Sequence, residues 1–242
     1  MPGWTRASEL DRSLRCVGSK LIPPQRMLSS GVLKAGAWGT FVHHWKETGN
    51  LLTKSEYYDS FKSTFEKKIL PSRDELWPIN GEHEVSYAYN CENGTVARYT
   101  GAPNEWKDSH NSQWVCGTND YEREEDGWGE KLFWIDDLKT GGTFNTPPSE
   151  CLQLYFYAMC ANLYAHQEIR STLVSITHWP KYPLNSIPDR KTHYLEANKI
   201  EKFRNLLLTR YNEWLEGYKL DAFNLGNHCL YCDAAYKCPV VG

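Results

Sequence analysis

Hydrophobic and polar positions alternate along one part of the chain and recur at helical spacing along others. Residues 84–89 alternate as a half-buried strand does, and Asn93 followed by Gly94 predicts a turn into a second strand over residues 95–99. The same criteria predict strands over residues 113–117, 131–136 and 171–178, the last of them rich in β-branched side chains. This central part of the chain is therefore predicted to form a sheet.

Helical patterns lie on both sides of these strands. Ser8, with acidic Glu9 and Asp11 in the turn that follows, predicts the start of a short helix that continues to Cys16. Further helices are predicted from about residue 39, over residues 55–66, over 149–165 and over 194–218. This order of elements predicts a mixed α/β fold in which helices flank one sheet.

The composition places the chain among ordinary globular proteins, with 242 residues that are 40% hydrophobic and 24% charged. No apolar run reaches the ~18–20 residues of a membrane span, and the N-terminal segment lacks the apolar stretch of a secretory signal. These features predict a cytoplasmic, intracellular protein. No repeat or long linker divides the chain, and the changes of pattern predict three regions, residues 1–79, 80–180 and 181–242.

Charge is unevenly distributed, although the net charge is only −3. Residues 118–137 contain eight acidic and two basic residues, whereas residues 1–40 contain six basic and two acidic ones. Residues 181–220 contain eight basic and five acidic residues. Basic segments of this kind leave nucleic acid open as a partner, with the acidic segment available to bind cations. Within that acidic segment, residues 122–126 are predicted to form a solvated hairpin tip.

Candidate chemistry begins where the strand predicted over residues 131–136 ends, at Asp136, Asp137 and Lys139. Side chains two positions apart in a strand project to the same face, so Asp137 and Lys139 are expected to point into one site. A carboxylate there can bind a hard divalent cation through oxygen. The lysine can orient an attacking water or stabilise charge on a phosphate. By itself, the same pattern is equally typical of a surface ion pair.

Other polar residues are placed to join that site. Asp120 follows a predicted strand, and His43 lies on a predicted helix whose small residues allow close packing. An imidazole with carboxylates suits a metal site made mostly of oxygen ligands. Gln153 and Tyr157 lie one turn apart on a later predicted helix and therefore share a face. Each residue alone is typical of an ordinary core or surface position, but their combination favours an active site.

Eight cysteines in a chain without an export signal are expected to be free thiols or metal ligands. Four of them stand apart and are typical of small, buried core residues, namely Cys91, Cys116, Cys151 and Cys160. The other four are Cys16, Cys229, Cys232 and Cys238, of which the last three lie within ten positions. Four thiolates suit zinc and an iron–sulfur cluster equally well.

The order of these motifs resembles that of the RecB-type branch of the PD-(D/E)XK nucleases. The matching patterns are Gly-x-x-x-His ending at His43, Gly-x-x-Asp ending at Asp120, Asp-x-Lys-Thr-Gly starting at Asp137, and Gln-x-x-x-Tyr from Gln153 to Tyr157. The resemblance implies a metal-dependent DNA nuclease.

Both ends of the chain are similar to AddB-type nuclease domains and to the CRISPR-associated Cas-four family. Ser8, Leu10 and Cys16 resemble the opening of that family, and the pattern Cys-x2-Cys-x5-Cys-Pro ending at Pro239 resembles its iron–sulfur clasp. The single-domain length favours the Cas-four type or a phage-borne relative.

This resemblance implies a restriction-endonuclease-like mixed sheet core over residues 80–180, flanked by helices. The N-terminal helical region and the C-terminal helix would be joined by a [4Fe–4S] cluster. Its ligands would be Cys16, Cys229, Cys232 and Cys238.

The resemblance also implies the roles of the site residues. One or two Mg²⁺ or Mn²⁺ ions would be held by His43, Asp120, Asp137 and the backbone carbonyl of Leu138. Lys139 would act beside Asp137 on the attacking water, and Gln153 and Tyr157 would orient the lysine or a phosphate. The substrate would be DNA, as single strands or ends cut by an exonuclease, and partners would include CRISPR integration or recombination proteins.

Several alternatives stay open from the residues themselves. Asp136 competes with Asp137 as the acidic partner of Lys139, and strand alternation selects Asp137. Glu84 is either a further site carboxylate or, more commonly for such a position, an exposed strand residue. A non-catalytic subunit for nucleic-acid binding or assembly would keep the fold, but it would have no need of the intact set of polar residues.

Overall fold

The computed structural model of the chain describes residues 5–16, 30–52, 61–63, 73–100, 113–127, 130–141, 145–180, 187–216 and 238. The helix predicted over residues 55–66 lies outside these ranges except for residues 61–63, which are helical. Cys229 and Cys232 also lie outside the described residues.

Besides the helical residues 61–63, the described part of the chain contains five α-helices, two short 3₁₀ helices and seven strands. The helices are α1 (Leu10–Arg15), α2 (Ser30–Thr48), α3 (Arg73–Leu76), α4 (Leu152–His166) and α5 (Ala197–Leu215). The strands are β1 (Thr5–Arg6), β2 (Glu82–Asn90), β3 (Val96–Thr100), β4 (Trp114–Gly127), β5 (Glu130–Lys139), β6 (Thr172–His178) and β7 (Asp189–Leu195). None of these helices combines the length and the apolar character that crossing a membrane requires.

All seven strands belong to one mixed sheet. Six of them follow the order β3-β2-β4-β5-β6-β7, and β1 pairs with β4. The pairs β1–β4 and β5–β6 are parallel, and the remaining pairs are antiparallel. The predicted class, a mixed α/β sheet flanked by helices, is therefore confirmed, and the sheet takes strands from all three predicted regions.

The sheet separates two hydrophobic clusters, because alternate side chains of β5 enter different ones. Phe133 and Ile135 join a cluster with α1, α4 and α5. Trp134 and Leu138 join a second, aromatic-rich cluster with α2. Successive strand residues point to opposite faces, so α4 and α2 cover opposite faces of β5.

Two predicted boundaries were wrong for identifiable reasons. β4 extends to Gly127, and Glu122, expected in a solvated tip, is only 2% exposed. Its carboxylate accepts hydrogen bonds from the Tyr87 hydroxyl (2.7 Å) and the Arg98 guanidinium (2.8 Å), which compensate the cost of burial. The last helix was predicted to start at residue 194, but residues 194 and 195 end β7 and α5 begins at Ala197. The rest of β7 was not predicted, because its polar, largely exposed residues lack an apolar alternation.

The pairing of β4 leaves a gap along one edge. β2 accompanies β4 from Trp114 to Glu122 on one side. On the other side β1 pairs at Val115 and Cys116, whereas pairing with β5 begins only at Tyr121. On this edge of β4, residues 117–120 therefore lie between the part paired with β1 and the part paired with β5. Polar groups can approach these residues from either face of the sheet.

The packing of α5 provides a direct test of the first hydrophobic cluster. Leu207 is fully buried in that cluster, whereas its neighbour Leu206 is 39% exposed. We expect Leu207→Ala to lower the free energy of unfolding by about 2–5 kcal/mol, because it removes buried methyl groups and leaves a cavity. Leu206→Ala should change it by less than about 0.5 kcal/mol. Denaturant unfolding of both variants measures the difference, and equal effects would contradict the observed packing of α5.

Candidate active site

Asp137 and Lys139 lie at the end of β5 and point to the face that α4 covers. The Lys139 Nζ lies 2.5 Å from the Asp137 Oδ2. The Asp137 side chain is only 3% exposed and that of Lys139 is 24% exposed, so this pair is not an ordinary surface ion pair. Strand alternation brings the two groups together, as their spacing predicted.

A chain of hydrogen bonds continues from Lys139 across α4. The Lys139 Nζ donates to the Gln153 Oε1 (2.9 Å), and the Gln153 Nε2 donates to the Tyr157 hydroxyl oxygen (2.8 Å). The Tyr157 hydroxyl in turn donates to the carbonyl oxygen of Thr118 (2.6 Å). This chain holds the lysine in one direction and ties α4 to the gap in β4.

A second group of polar residues lies at the same gap, where α2 packs on the sheet. It consists of His43 on α2, Glu84 on β2 and Asp120 on β4, and we call it the α2 group. The His43 Nδ1 lies 2.8 Å from the Asp120 Oδ1 and 3.6 Å from the Glu84 Oε1. Gly39, one turn before His43, lets the helix lie this close, since a Cβ there would come within 2.9 Å of the Thr140 Oγ1. Among the described residues, one possible ligand atom from each of these three side chains lies within 4.8 Å of the other two.

Asp120 joins the two groups. The sequence indicated that Asp120 follows a strand, but it lies inside β4. Its Oδ2 accepts a hydrogen bond from the backbone N–H of Leu138 (2.6 Å), between Asp137 and Lys139. The carboxylate therefore faces His43 with one oxygen and the end of β5 with the other.

Glu84 belongs to this site, although the alternation of β2 alone favoured an exposed position. Its backbone has a φ of +53°, which is uncommon for a residue other than glycine. The pairs His83–Tyr121 and Val85–Asn119 flank it, and its side chain reaches those of His43 and Asp120. A strained backbone that places a carboxylate in a polar cleft is typical of functional sites.

Lys46 is the residue that sequence reasoning missed. It lies one turn after His43 on α2, and its side chain is completely buried. The Lys46 Nζ donates a hydrogen bond to the backbone carbonyl of Asp120 and lies 3.7 Å from the Glu84 Oε1. Its spacing of three residues from His43 could have indicated that it lies near the site, because residues i and i+3 share a helix face.

The charges of His43, Asp120 and the neighbouring Lys46 act strongly on one another. Burial would raise the pKa of Asp120, but the positive charges of His43 and Lys46 outweigh it and hold that pKa well below its usual range. Burial would likewise lower the pKa of His43, yet Asp120 and Glu84 raise it to about 10. His43 is therefore held as an imidazolium between these carboxylates, and a divalent cation that binds its nitrogen would displace the proton.

The Asp137–Lys139 pair behaves differently. Burial raises the pKa of Asp137 to about 6, against the influence of Lys139 and with the help of nearby Asp120. The Asp137 carboxylate outweighs the burial of Lys139 and raises the pKa of its ammonium group. Asp137 and Asp120 thus act on each other across the gap, and an added cation would relieve the repulsion.

Asp136 points to the opposite face of β5 and has a structural environment. It accepts hydrogen bonds from the Trp77 Nε1 (2.7 Å), the Ser175 hydroxyl (2.5 Å) and the Thr177 hydroxyl (2.9 Å), and Arg190 lies 3.3 Å away. The carboxylate is fully buried, and its several donors compensate its charge. Of the two adjacent acids, Asp137 is the one that faces Lys139.

The α2 group has the features of a divalent-cation site. A nitrogen from His43 and oxygens from Glu84 and Asp120 are the ligand types that Mn²⁺ and Mg²⁺ accept in proteins. The Glu84 Oε1 is buried without a hydrogen-bond partner. Coordination to a cation at this position would compensate that oxygen. Asp137 lies outside this group of three. The role of the Leu138 backbone carbonyl as a ligand stays a prediction. Glu84 is thus the ligand candidate that the structure adds to His43 and Asp120.

The structure describes six of the eight cysteines. Cys91, Cys151 and Cys160 are buried, and Cys116 is half-buried on β4. Cys16 is buried directly after α1, and Cys238 is half-buried. The burial of Cys91, Cys151 and Cys160 agrees with their predicted place in the core.

Metal binding by the α2 group can be tested through stability. At about 100 times its Kd, Mn²⁺ should raise the stability of the folded chain by about 2.7 kcal/mol, because it binds only the folded state. The melting temperature should then rise by roughly 5–10 °C. Glu84→Gln should lose more than half of this rise, since it removes a negative ligand but keeps the shape. Differential scanning calorimetry with and without Mn²⁺ measures the shift.

Glu82→Gln is the matched control, because Glu82 lies on the same strand with a side chain that is 53% exposed and bonded to Arg98. This variant should keep the full Mn²⁺-dependent rise. An equal rise in Glu84→Gln and the unmodified chain would exclude Glu84 as a ligand.

No protein-family model matches the sequence, and no curated protein is significantly similar to it.

Proposed function

We propose that this protein is a metal-dependent DNA nuclease of the RecB-like PD-(D/E)XK type. Its sheet and flanking helices would form a restriction-endonuclease-like core, and Cas-four-type exonucleases would be its relatives. The observation that carries the proposal is the arrangement around the gap in β4. There the Asp137–Lys139 pair, bonded to Gln153, approaches Asp120 from one face, and His43 approaches it from the other.

Each group of residues in the site would have a separate role in phosphodiester hydrolysis. A divalent cation held by His43, Glu84 and Asp120, with Asp137 close by, would polarise the scissile phosphate and make a bound water more acidic. Lys139 would orient the attacking water and stabilise the charge that develops on the phosphate. Gln153 and Tyr157 would keep the lysine in place, since they link it to the backbone of Thr118.

The substrate would be DNA, with single strands or ends as the favoured form. The basic segments of residues 1–40 and 181–220 support this assignment, because contacts to phosphates supply much of the affinity for nucleic acid. An exonuclease of this kind would act with CRISPR integration or recombination proteins.

A [4Fe–4S] cluster on Cys16, Cys229, Cys232 and Cys238 is part of the proposal. It would join the segment after α1 to the C-terminal segment and so stabilise the folded chain. The burial of Cys16 and the spacing of the last three cysteines support it.

The cluster predicts a visible property of the protein. Purified under anaerobic conditions, the protein should be brown, with broad visible absorption that dithionite bleaches. Cys232→Ser should remove the colour and lower the melting temperature, because it removes one of four ligands. Cys116→Ser, at a half-buried thiol on β4, should keep the colour. A colourless protein with one equivalent of zinc would instead assign the four thiolates to zinc.

The nuclease proposal is tested by removing Lys139. Single-stranded DNA should be degraded with Mg²⁺ or Mn²⁺ and should stay intact in EDTA, because the site then lacks its cation. Lys139→Ala should lower the cleavage rate at least about 100-fold, since it removes a group that stabilises the transition state. Binding to DNA should be retained, because affinity depends mainly on the surrounding basic surface. Cleavage of a labelled oligonucleotide and its fluorescence anisotropy measure the two properties.

Lys131→Ala is the control for this experiment, because Lys131 lies on the same strand with a side chain that is 66% exposed. It should cut DNA at the unmodified rate. Asp137→Ala should lose activity, as Lys139→Ala does. If Lys139→Ala cuts as fast as the unmodified protein, the proposed mechanism fails and a non-catalytic DNA-binding or assembly subunit becomes the better assignment.

A further inference from the structure

A small cavity lies in the gap of β4, on the side where β1 pairs. Its volume is about 170 Å³. Drug-sized ligands occupy sites of ~300–1,000 Å³, so this cavity suits a smaller group. The residues that matter for its chemistry are Arg6, Ser8, Gly117, Thr118, Gln153 and Tyr157. We call it the β1 cavity.

The β1 cavity shares a wall with the proposed active site. Gln153 and Tyr157 line it, and Gln153 also accepts the hydrogen bond from the Lys139 Nζ. A group bound in the cavity would therefore lie next to the groups that are proposed to act on the scissile phosphate.

The position of the N-terminal segment creates this cavity. Arg6 pairs with Cys116 in the parallel β1–β4 ladder, which sets Arg6 and Ser8 beside the gap. Gly117 allows this close approach, because a Cβ there would come within 2.3 Å of the Ala7 Cβ and 3.0 Å of the Tyr157 ring. The cavity therefore depends on glycine at this position.

The lining favours an anion. Among the described residues, the lining contains one cation, Arg6, and no carboxylate. Burial raises the pKa of the Cys116 thiol to about 12, and the positive charge of nearby Arg6 opposes this rise. The hydroxyl of Ser8 and the amide of Gln153 add neutral polar groups. A guanidinium beside hydroxyl and amide groups is suited to a phosphate, because its planar fork matches the phosphate oxygens.

We infer that Arg6 and Ser8 form a subsite for the DNA phosphodiester adjacent to the one that is cut. This inference rests on the proposed nuclease function. Arg6 binds the neighbouring phosphate through its guanidinium, and Ser8 contributes its exposed hydroxyl. The contact fixes the register of the strand, so that the next phosphate faces Lys139.

The salt dependence of DNA binding tests the subsite without requiring cleavage. In EDTA, the logarithm of the association constant for single-stranded DNA should fall linearly with the logarithm of the salt concentration. Each phosphate contact contributes about 0.7 to the slope for single strands. Arg6→Ala should therefore reduce the slope by about 0.7, and fluorescence anisotropy of a labelled oligonucleotide at several KCl concentrations measures it.

Arg15→Ala is the matched control within the same segment. Arg15 is exposed at the end of α1 and forms an ion pair with Asp11 at 2.8 Å, away from the cavity lining. Its removal should leave the slope unchanged. A slope for Arg6→Ala equal to that of the unmodified protein, or an equal reduction in both variants, would overturn the subsite.

Cleavage kinetics provide a second readout. Arg6→Ala should raise KM about tenfold with a much smaller change in kcat, because Arg6 binds a phosphate that does not react. Ser8→Ala, at another exposed position, should raise KM in the same direction. Unchanged KM in both variants of a protein that cleaves DNA would refute the subsite alone. An unmodified protein that binds DNA with the expected slopes but does not cleave it would refute the nuclease assignment and retain the phosphate contact.

Discussion

The hydrogen bond from the Leu138 N–H to the Asp120 carboxylate is the interaction around which the site is arranged. It lies where β4 and β5 cease to pair. There a side-chain carboxylate of β4, rather than a backbone carbonyl, accepts the N–H of β5. Asp120 is thereby held with one oxygen toward β5 and the other toward His43 of α2. A carboxylate in this position can serve groups from both faces of the sheet, which a regular strand residue cannot do.

Burial of so many charges is tolerable because each one faces an opposite charge. Asp120 faces His43 and Lys46, and Asp137 faces Lys139. Removing water from a single carboxylate costs several kcal/mol, whereas paired groups recover most of that cost when their hydrogen bonds are complete. The Glu84 Oε1 is buried without a hydrogen-bond partner, although the His43 Nδ1 and the Lys46 Nζ lie 3.6 and 3.7 Å from it. A divalent cation bound there would add to this incomplete compensation.

The contrast between Asp136 and Asp137 shows how adjacent identical residues acquire different roles. Asp136 is saturated by donors from β6 and by Trp77, so it stabilises the packing on the α2 side. Asp137 has a lysine and a neighbouring carboxylate instead, which leaves its charge available to a ligand. The difference follows from strand alternation alone, because successive side chains enter different environments.

The sequence by itself determined the features that depend on local periodicity: most strands, the helix that carries Gln153 and Tyr157, and the shared face of Asp137 and Lys139. It could not determine the extent of β4, the burial of Glu122 or the strand over Asp189–Leu195, because those depend on partners distant in the chain. The same holds for Glu84 and Lys46, whose roles arise only when α2 packs across β2 and β4. Periodicity reports which face a side chain takes, whereas the cost of burying its charge is settled by the groups that tertiary packing brings beside it.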